Sequence, residues 1–280
     1  MIHLGIPVIN QKELTRKCLN FMGQSIGVPY QSQLHVVIID NGSDDPYREE
    51  DLGHVPFVTS IIRNEENRGF YYPLLQLLNF TTSADLVGLM HNDLFIYEKN
   101  WDSRMVSSFV NNPRLGMVGV CGSDEIDDRG GRGGGTMCNF LGQLGQRQEH
   151  TGKRVTGVHP AIIFDSMFML MRRPVVDALS IDEHITLCHF MDKLWPIKAM
   201  AAGWKCAVIG ILVDHAGGQT SVLQAVRFDA DAAKWCAQEN IKYGHYTSEG
   251  PMSASVALYF EAERQFLEYG RSRRMIPSRL

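Results

Sequence analysis

The runs LHVVIID (34–40) and LVGLM (86–90) are almost unbroken apolar sequence. A strand with one wet face alternates apolar and polar residues, whereas a strand covered on both faces does not. IHLGIPVI (2–9), FVTSIIR (57–63) and LGMVGVCG (115–122) read the same way. Between them lie QKELTRKCLNFMGQS (11–25), with helical periodicity, and FYYPLLQLLNF (70–80), a helix that tolerates Pro73 only in its first turn. Apolar strands separated by helices predict an α/β fold around a parallel sheet covered on both sides.

The middle of the chain changes character. DRGGRGGGT (128–136) is too rich in glycine for a regular element and reads as a flexible surface loop. A strand over AIIFDSMFMLMRR (161–173), a helix near 189–202 and a strand over KCAVIGILVDH (205–215) are expected next. Two helical stretches, 229–241 and 253–268, follow. No internal repeat and no linker divides the chain.

In open α/β sheets ligands bind beyond the carboxyl ends of the strands. Here those ends carry Asn10, then Asp40-Asn41-Gly42, then Asn64 to Gly69, then His91-Asn92-Asp93, and later Asp214-His215. The recurrence of polar groups at one edge is the functional signal. A dinucleotide site needs a glycine-rich turn after the first strand, but PVINQKEL (7–14) has none, and no GxxxxGK[ST] loop exists. A pyrophosphate at this edge therefore needs a cation, with Asp93 as the first ligand and His215 as a possible second.

Other classes fall away on composition. A net charge of −4 gives no basic field for nucleic acid, the local exception being RSRRMIPSRL (271–280). The six cysteines form no CxxC pair and read as free thiols of a reducing compartment. With no signal-like N-terminus and no apolar run of membrane-spanning length, a cytoplasmic protein is expected. Met167, Met169 and Met171 read as one packed strand face, and the four tryptophans mostly as core.

Taken in order, VVIIDNGSDD (36–45), NEENRGFYYPL (64–74), LMHNDLFI (89–96), FMLMRRPVVDAL (168–179), HFMDKLWPIKAMAAGWKCAVI (189–209) and VDHAGGQTS (213–221) resemble the motifs of family two glycosyltransferases of the GT-A fold. The resemblance covers residues 1–221. It implies a mixed, mainly parallel sheet flanked by helices, with a nucleotide half (1–121), an acceptor and catalytic half (122–221) and a helical extension (222–280). The implied activity is metal-dependent, inverting transfer of a sugar from a nucleoside-diphosphate donor, UDP-sugar first among them, with Mn2+ or Mg2+. The acceptor is a hydroxyl of a glycan, a protein or another molecule.

By the same resemblance, Pro7 and Asn10 line the base pocket, Asp40 and Asn41 hold base or ribose, and Asn67, Arg68 and Gly69 approach the nucleotide. Asp93 ligates the metal and His215 completes its shell. His91 stands where relatives carry an acid and contacts ribose or sugar, or weakens the metal site; Asn92 touches the donor sugar. Asp192 is the expected general base, with Asp182 or Glu183 as alternatives, and Asp165 faces the acceptor. Relatives carry a second acid where this chain has Leu194. A retaining transferase and a degenerate, non-catalytic sugar-nucleotide binder are the other readings.

Overall fold

The computed structural model describes residues 1–68, 70–83, 85–128, 130–142, 152–179, 190–216 and 263–277. The chain runs β1 (Ile2–Val8), α1 (Lys12–Ser25), β2 (Leu34–Asn41), α2 (Glu49–Leu52), β3 (Val58–Asn64), α3 (Tyr71–Leu78), β4 (Leu86–Met90), β5 (Leu94–Ile96), α4 (Trp101–Asn111) and β6 (Leu115–Gly119). Then come β7 (Gly122–Ser123), β8 (Thr136–Cys138), β9 (Lys153–Arg154), β10 (Val158–Pro160), β11 (Ile163–Phe164), β12 (Phe168–Arg172), α5 (Arg173–Ala178), α6 (Met191–Ala201), β13 (Lys205–Ile209) and β14 (Val213–His215). A short 3-10 helix (Val28–Gln33) precedes β2, and residues 263–272 are helical.

The main sheet has the strand order β10-β13-β6-β12-β4-β1-β2-β3. All neighbours run parallel except β12, antiparallel to both β4 and β6, and β10, antiparallel to β13. The apolar runs predict a parallel sheet; the sheet found is mixed and mainly parallel, as the family resemblance implies. Each strand sends alternate residues to opposite layers. Phe168 and Leu170 join Trp101, Met105 and Phe109 of α4 and Leu19 and Met22 of α1 on one face. Met169 and Met171 join Leu74 and Leu77 of α3 and Trp195 of α6 on the other. Met167 departs from the expected single face and packs with the first layer, because the chain turns just before β12. Trp101 and Trp195 are fully buried, as expected of core residues, and Trp204 packs at the edge of the second layer.

Two expected strands are broken. The run 161–173 splits at Asp165 into β11, which joins a small sheet of order β11-β7-β8-β9, and β12 in the main sheet. The run 205–215 splits around Gly210 into β13 and β14, the latter pairing with β5. Gly210 lies so close to the Val155 carbonyl that a Cβ would sit 2.1 Å from its oxygen, so only glycine permits the crossing. The stretch 229–241 lies outside the described residues, as does 253–268 up to residue 262. Among the described residues no helix is long and apolar enough to cross a membrane.

Candidate active site

The carboxyl ends of β1 and β2 are tied to one another. Asn10 and Gln11 both adopt left-handed backbone, at φ 54° and 59°, a conformation that costs about 1 kcal/mol for a residue with a side chain. The surroundings hold them there. The Asn10 backbone N–H donates to Ser43 Oγ at 2.7 Å, the Asp44 N–H donates to Asn10 Oδ1, and the Tyr47 hydroxyl donates to the Asn10 carbonyl. The turn after β2 is organised by Asp40, which accepts the N–H groups of Ser43 and Tyr47 and an Arg63 guanidinium at 2.8 Å. Burial opposes its ionisation, but these donors outweigh burial and hold the carboxyl below the usual range.

Asp40 has no accessible surface. Its carboxylate is held by the turn after β2 and by Arg63, at the strand end where base or ribose is expected. Asn41 is also buried and accepts from Asn64, whose amide exchanges hydrogen bonds with Gln76 of α3. Gly42, at φ 88°, packs against the backbone of Glu66, so the turns after β2 and β3 touch. Asn67 and Arg68 are exposed there, with Arg68 stacked over Tyr72, while Pro7 is half-buried. Gly69 lies outside the described residues.

The end of β4 brings His91, Asn92 and Asp93. Antiparallel pairing of β14 with β5 sets His215 opposite Leu94, and the Ala216 N–H donates to the Asp93 carbonyl. Residues 122 positions apart thereby meet: His215 Nε2 lies 3.1 Å and His91 Nδ1 3.7 Å from Asp93 Oδ1. One ligand atom from each of the three lies within 4.8 Å of the others. Two imidazoles and a carboxylate suit a divalent transition ion better than Mg2+, which prefers oxygen. His91 Nε2 is buried without a hydrogen-bond partner, an orphan that a ligand would satisfy. Burial lowers the His91 pKa, against the pull of Asp93 and with the help of His215. Burial opposes ionisation of Asp93, but the hydrogen bond from His215 and both imidazoles outweigh it, so its carboxyl titrates below the usual range. The residues present therefore fit a metal.

The Asn92 amide donates to Thr15 Oγ1 on α1, which bonds the Tyr47 hydroxyl, which in turn donates to the Asn10 carbonyl, a strut that joins the ends of β4, β1 and β2.

The third group lies at the start of α6 and in the turn after β11. Asp192 sits in the first turn of α6, after Phe190 in left-handed conformation at φ 60°. Burial, with the Asp165 carboxylate behind it, raises its carboxyl to about 6, against the opposing charges of Lys193 and Arg132. Pro196 lacks the N–H that would bond the Asp192 carbonyl within the helix. Leu194, in place of the relatives' second acid, is buried in an apolar cluster with Ile163, Ile197 and Phe266. Asp165 follows β11, on which α6 packs, and accepts from Arg132 and from the Met167 N–H. Asp182 and Glu183 lie outside the described residues.

Arg132 is the residue that sequence reading passed over. The stretch read as a flexible surface loop is fastened at many points, which corrects that expectation. Ser123 Oγ donates to the Arg132 carbonyl, Gly134 N–H to Glu125, and Lys193 Nζ to the Gly130 carbonyl at 2.9 Å. The lone arginine among the glycines of GGRGGG was the available signal.

The edge thus holds a His-Asp-His cluster and a linked set of strand-end turns, and the first turn of α6 carries an acid whose carboxyl is raised to about 6. A family model for glycosyl transferase family 2 matches residues 4–180. No curated protein matches the chain. Among solved structures it resembles a mannosyltransferase, PcManGT from Pyrobaculum calidifontis in complex with GDP-Man and Mn2+, at 14% identity and a TM-score of 0.53, over 97% of this chain and 75% of that one. GalNAc-T7 with UDP, GalNAc and Mn2+ aligns at 11% identity and a TM-score of 0.59 over 98% of this chain, which spans 58% of that protein. S. aureus TarS 1–349 aligns at 11% identity and a TM-score of 0.50, over 95% and 72%. At such identities the likeness is one of fold, and the fold is GT-A.

Proposed function

The chain belongs to glycosyl transferase family 2, and we propose that it is a metal-dependent, inverting transferase. It would take a sugar from a nucleoside-diphosphate donor, such as a UDP-sugar, to an acceptor hydroxyl. The observation that carries the reading is the meeting of His91, Asp93 and His215 at the strand ends. Asp192 stands on the neighbouring acceptor side as the candidate base.

In this reading the nucleotide lies over the ends of β1 to β3. Pro7 and Asn10 line the base pocket, Asp40 and Asn41 hold base or ribose, Asn67, Arg68 and Gly69 flank the nucleotide, and Asn92 touches the donor sugar. His91, Asp93 and His215 would hold the divalent ion, Mn2+ before Mg2+, whose chemistry is to neutralise charge on the leaving diphosphate. Asp192 removes the proton of the acceptor hydroxyl as its oxygen attacks the anomeric carbon from the face opposite the diphosphate. The new glycosidic C–O bond forms, the bond to the diphosphate oxygen breaks, and the proton stays on Asp192. A carboxyl near 6 suits this work, since it is mostly ionised at neutral pH yet basic enough to take a proton. Asp165 borders the acceptor.

We keep residues 1–121 as the donor half, 122–221 as the acceptor half and 222–280 as an extension. Its described part packs on α6 and the loop through Phe266. The four described cysteines are buried and form no disulfide, which supports a cytoplasmic protein.

Transfer and hydrolysis across UDP- and GDP-sugars, with Mn2+, Mg2+ or chelator, test the reading, and NMR of the product reports its anomeric configuration. Asp93→Ala is expected to lose turnover at least 100-fold with an unchanged circular dichroism spectrum. Wild-type turnover in that variant, or in chelator, removes the metal role; retained configuration removes inversion.

A further inference from the structure

We propose that Arg132, carried by the glycine-rich loop, is a positioning residue of the transfer site: by pairing with Asp165 it cancels the carboxylate that borders Asp192 and fastens the loop to the metal-ligand turn. The inference rests on Asp192 as base for its kinetic consequence but not for its electrostatic one.

The geometry is a chain of contacts. Arg132 Nη2 donates to Asp165 Oδ2; both side chains are mostly withdrawn from solvent, 24% and 12% exposed. Asp165 Oδ1 accepts the Met167 N–H at 3.1 Å, and the Met167 carbonyl accepts the His91 N–H at 2.9 Å. One ion pair therefore spans the loop, the β11–β12 turn and the first residue of the His-Asp-His cluster. The loop is tied to α6 separately, where Lys193, next to Asp192, donates to the Gly130 carbonyl. Behind Gly130, at φ 80°, Phe266 leaves no room for a side chain: a Cβ would lie 2.6 Å from its ring. Glycines thus let the loop run close against its supports, and its arginine is delivered to the acid pair.

The charge argument follows. The Asp192 carboxyl feels the charges of Lys193 on its own helix, of Asp165 in the β11–β12 turn and of Arg132 in the loop. Two carboxylates in one partly buried site raise one another's cost of ionisation, and a nearby cation lowers it. Without Arg132 the Asp165 charge weighs more heavily on the base, and the base holds more of its proton at neutral pH. Arginine suits the place, since it stays charged when buried and binds a carboxylate in a fixed plane.

The test uses the full chain and two readouts. The first is the acid limb of kcat/KM against pH. The second is the midpoint of the pH-dependent stability difference between an Asp192→Asn variant and its parent, which reports Asp192 ionisation without turnover. Arg132→Gln is expected to move both upward by about one pH unit. Arg132→Lys should keep them near wild type, and Asp165→Asn should move both downward. If the stability midpoint moves and the rate limb does not, the inference stands and Asp192 is not the base. If neither moves in Arg132→Gln, the inference is overturned. Should that variant not fold, an unmoved midpoint in Asp165→Asn overturns it equally.

Discussion

Asp192→Asn separates charge from shape, because the two side chains are nearly isosteric. In the folded protein the Asp192 carboxyl titrates at about 6, raised by burial and then by Asp165. In the unfolded chain it titrates at about 3.9. Between these values the folded state keeps a proton that the unfolded state has released, so stability falls as pH rises from about 4 to about 6 and then levels off. The gap, about 2 pH units at 1.36 kcal/mol each, is about 3 kcal/mol. Asp192 keeps some solvent contact, which screens the charge and brings the net effect to about 1–2 kcal/mol. Asparagine carries no charge and escapes the loss. The variant should match wild type near pH 4 and exceed its stability by about 1–2 kcal/mol above about pH 7, while losing transfer about 1000-fold. Urea unfolding at several pH values measures the first quantity and a donor-consumption assay the second. A stability difference that stays constant with pH would refute the buried-charge argument, whatever happens to the rate.

Tyr47→Phe removes the hydroxyl between Thr15 and the Asn10 carbonyl. It should cost about 1–2 kcal/mol in urea unfolding and raise KM for the donor more than it lowers kcat, since the strut positions the nucleotide edge. Gly88→Ala, in the centre of β4, would place a methyl 2.4 Å from the Met169 carbonyl oxygen on β12. Overpacking there should lower the unfolding free energy by about 1–3 kcal/mol or more, and an unfolding midpoint equal to wild type would contradict the close strand approach.

The sheet was legible because burial on both faces leaves its mark directly in composition: LHVVIID and LVGLM have no wet side to encode. The cluster was half legible. Asp93 stands out at the end of β4, whereas its bond to His215 depends on β14 leaving the main sheet to pair with β5. The breaks at Asp165 and Gly210 were hidden, since an apolar run reads alike whether it stays in one sheet or crosses into another. The partners of Asp40 and Asn92 were hidden too: their side chains bond Arg63 and Thr15, and such pairings are set by neighbours distant in sequence. The loop at 130–136 was read as flexible because glycine says what the backbone may do, not what holds it.

The order of apolar strands, amphipathic helices and polar strand ends was enough, by itself, to determine an α/β chain with its chemistry at one rim. Periodicity and turn chemistry are local, and local information survives without a structure. Tertiary contact decided which of those polar groups work as scaffold and which meet as a site. The distance between His91, Asp93 and His215, the pairing of Arg132 with Asp165 and the raised carboxyl of Asp192 all arise between residues far apart along the chain. Coulomb energy and desolvation depend on separation in space, which only the folded chain sets.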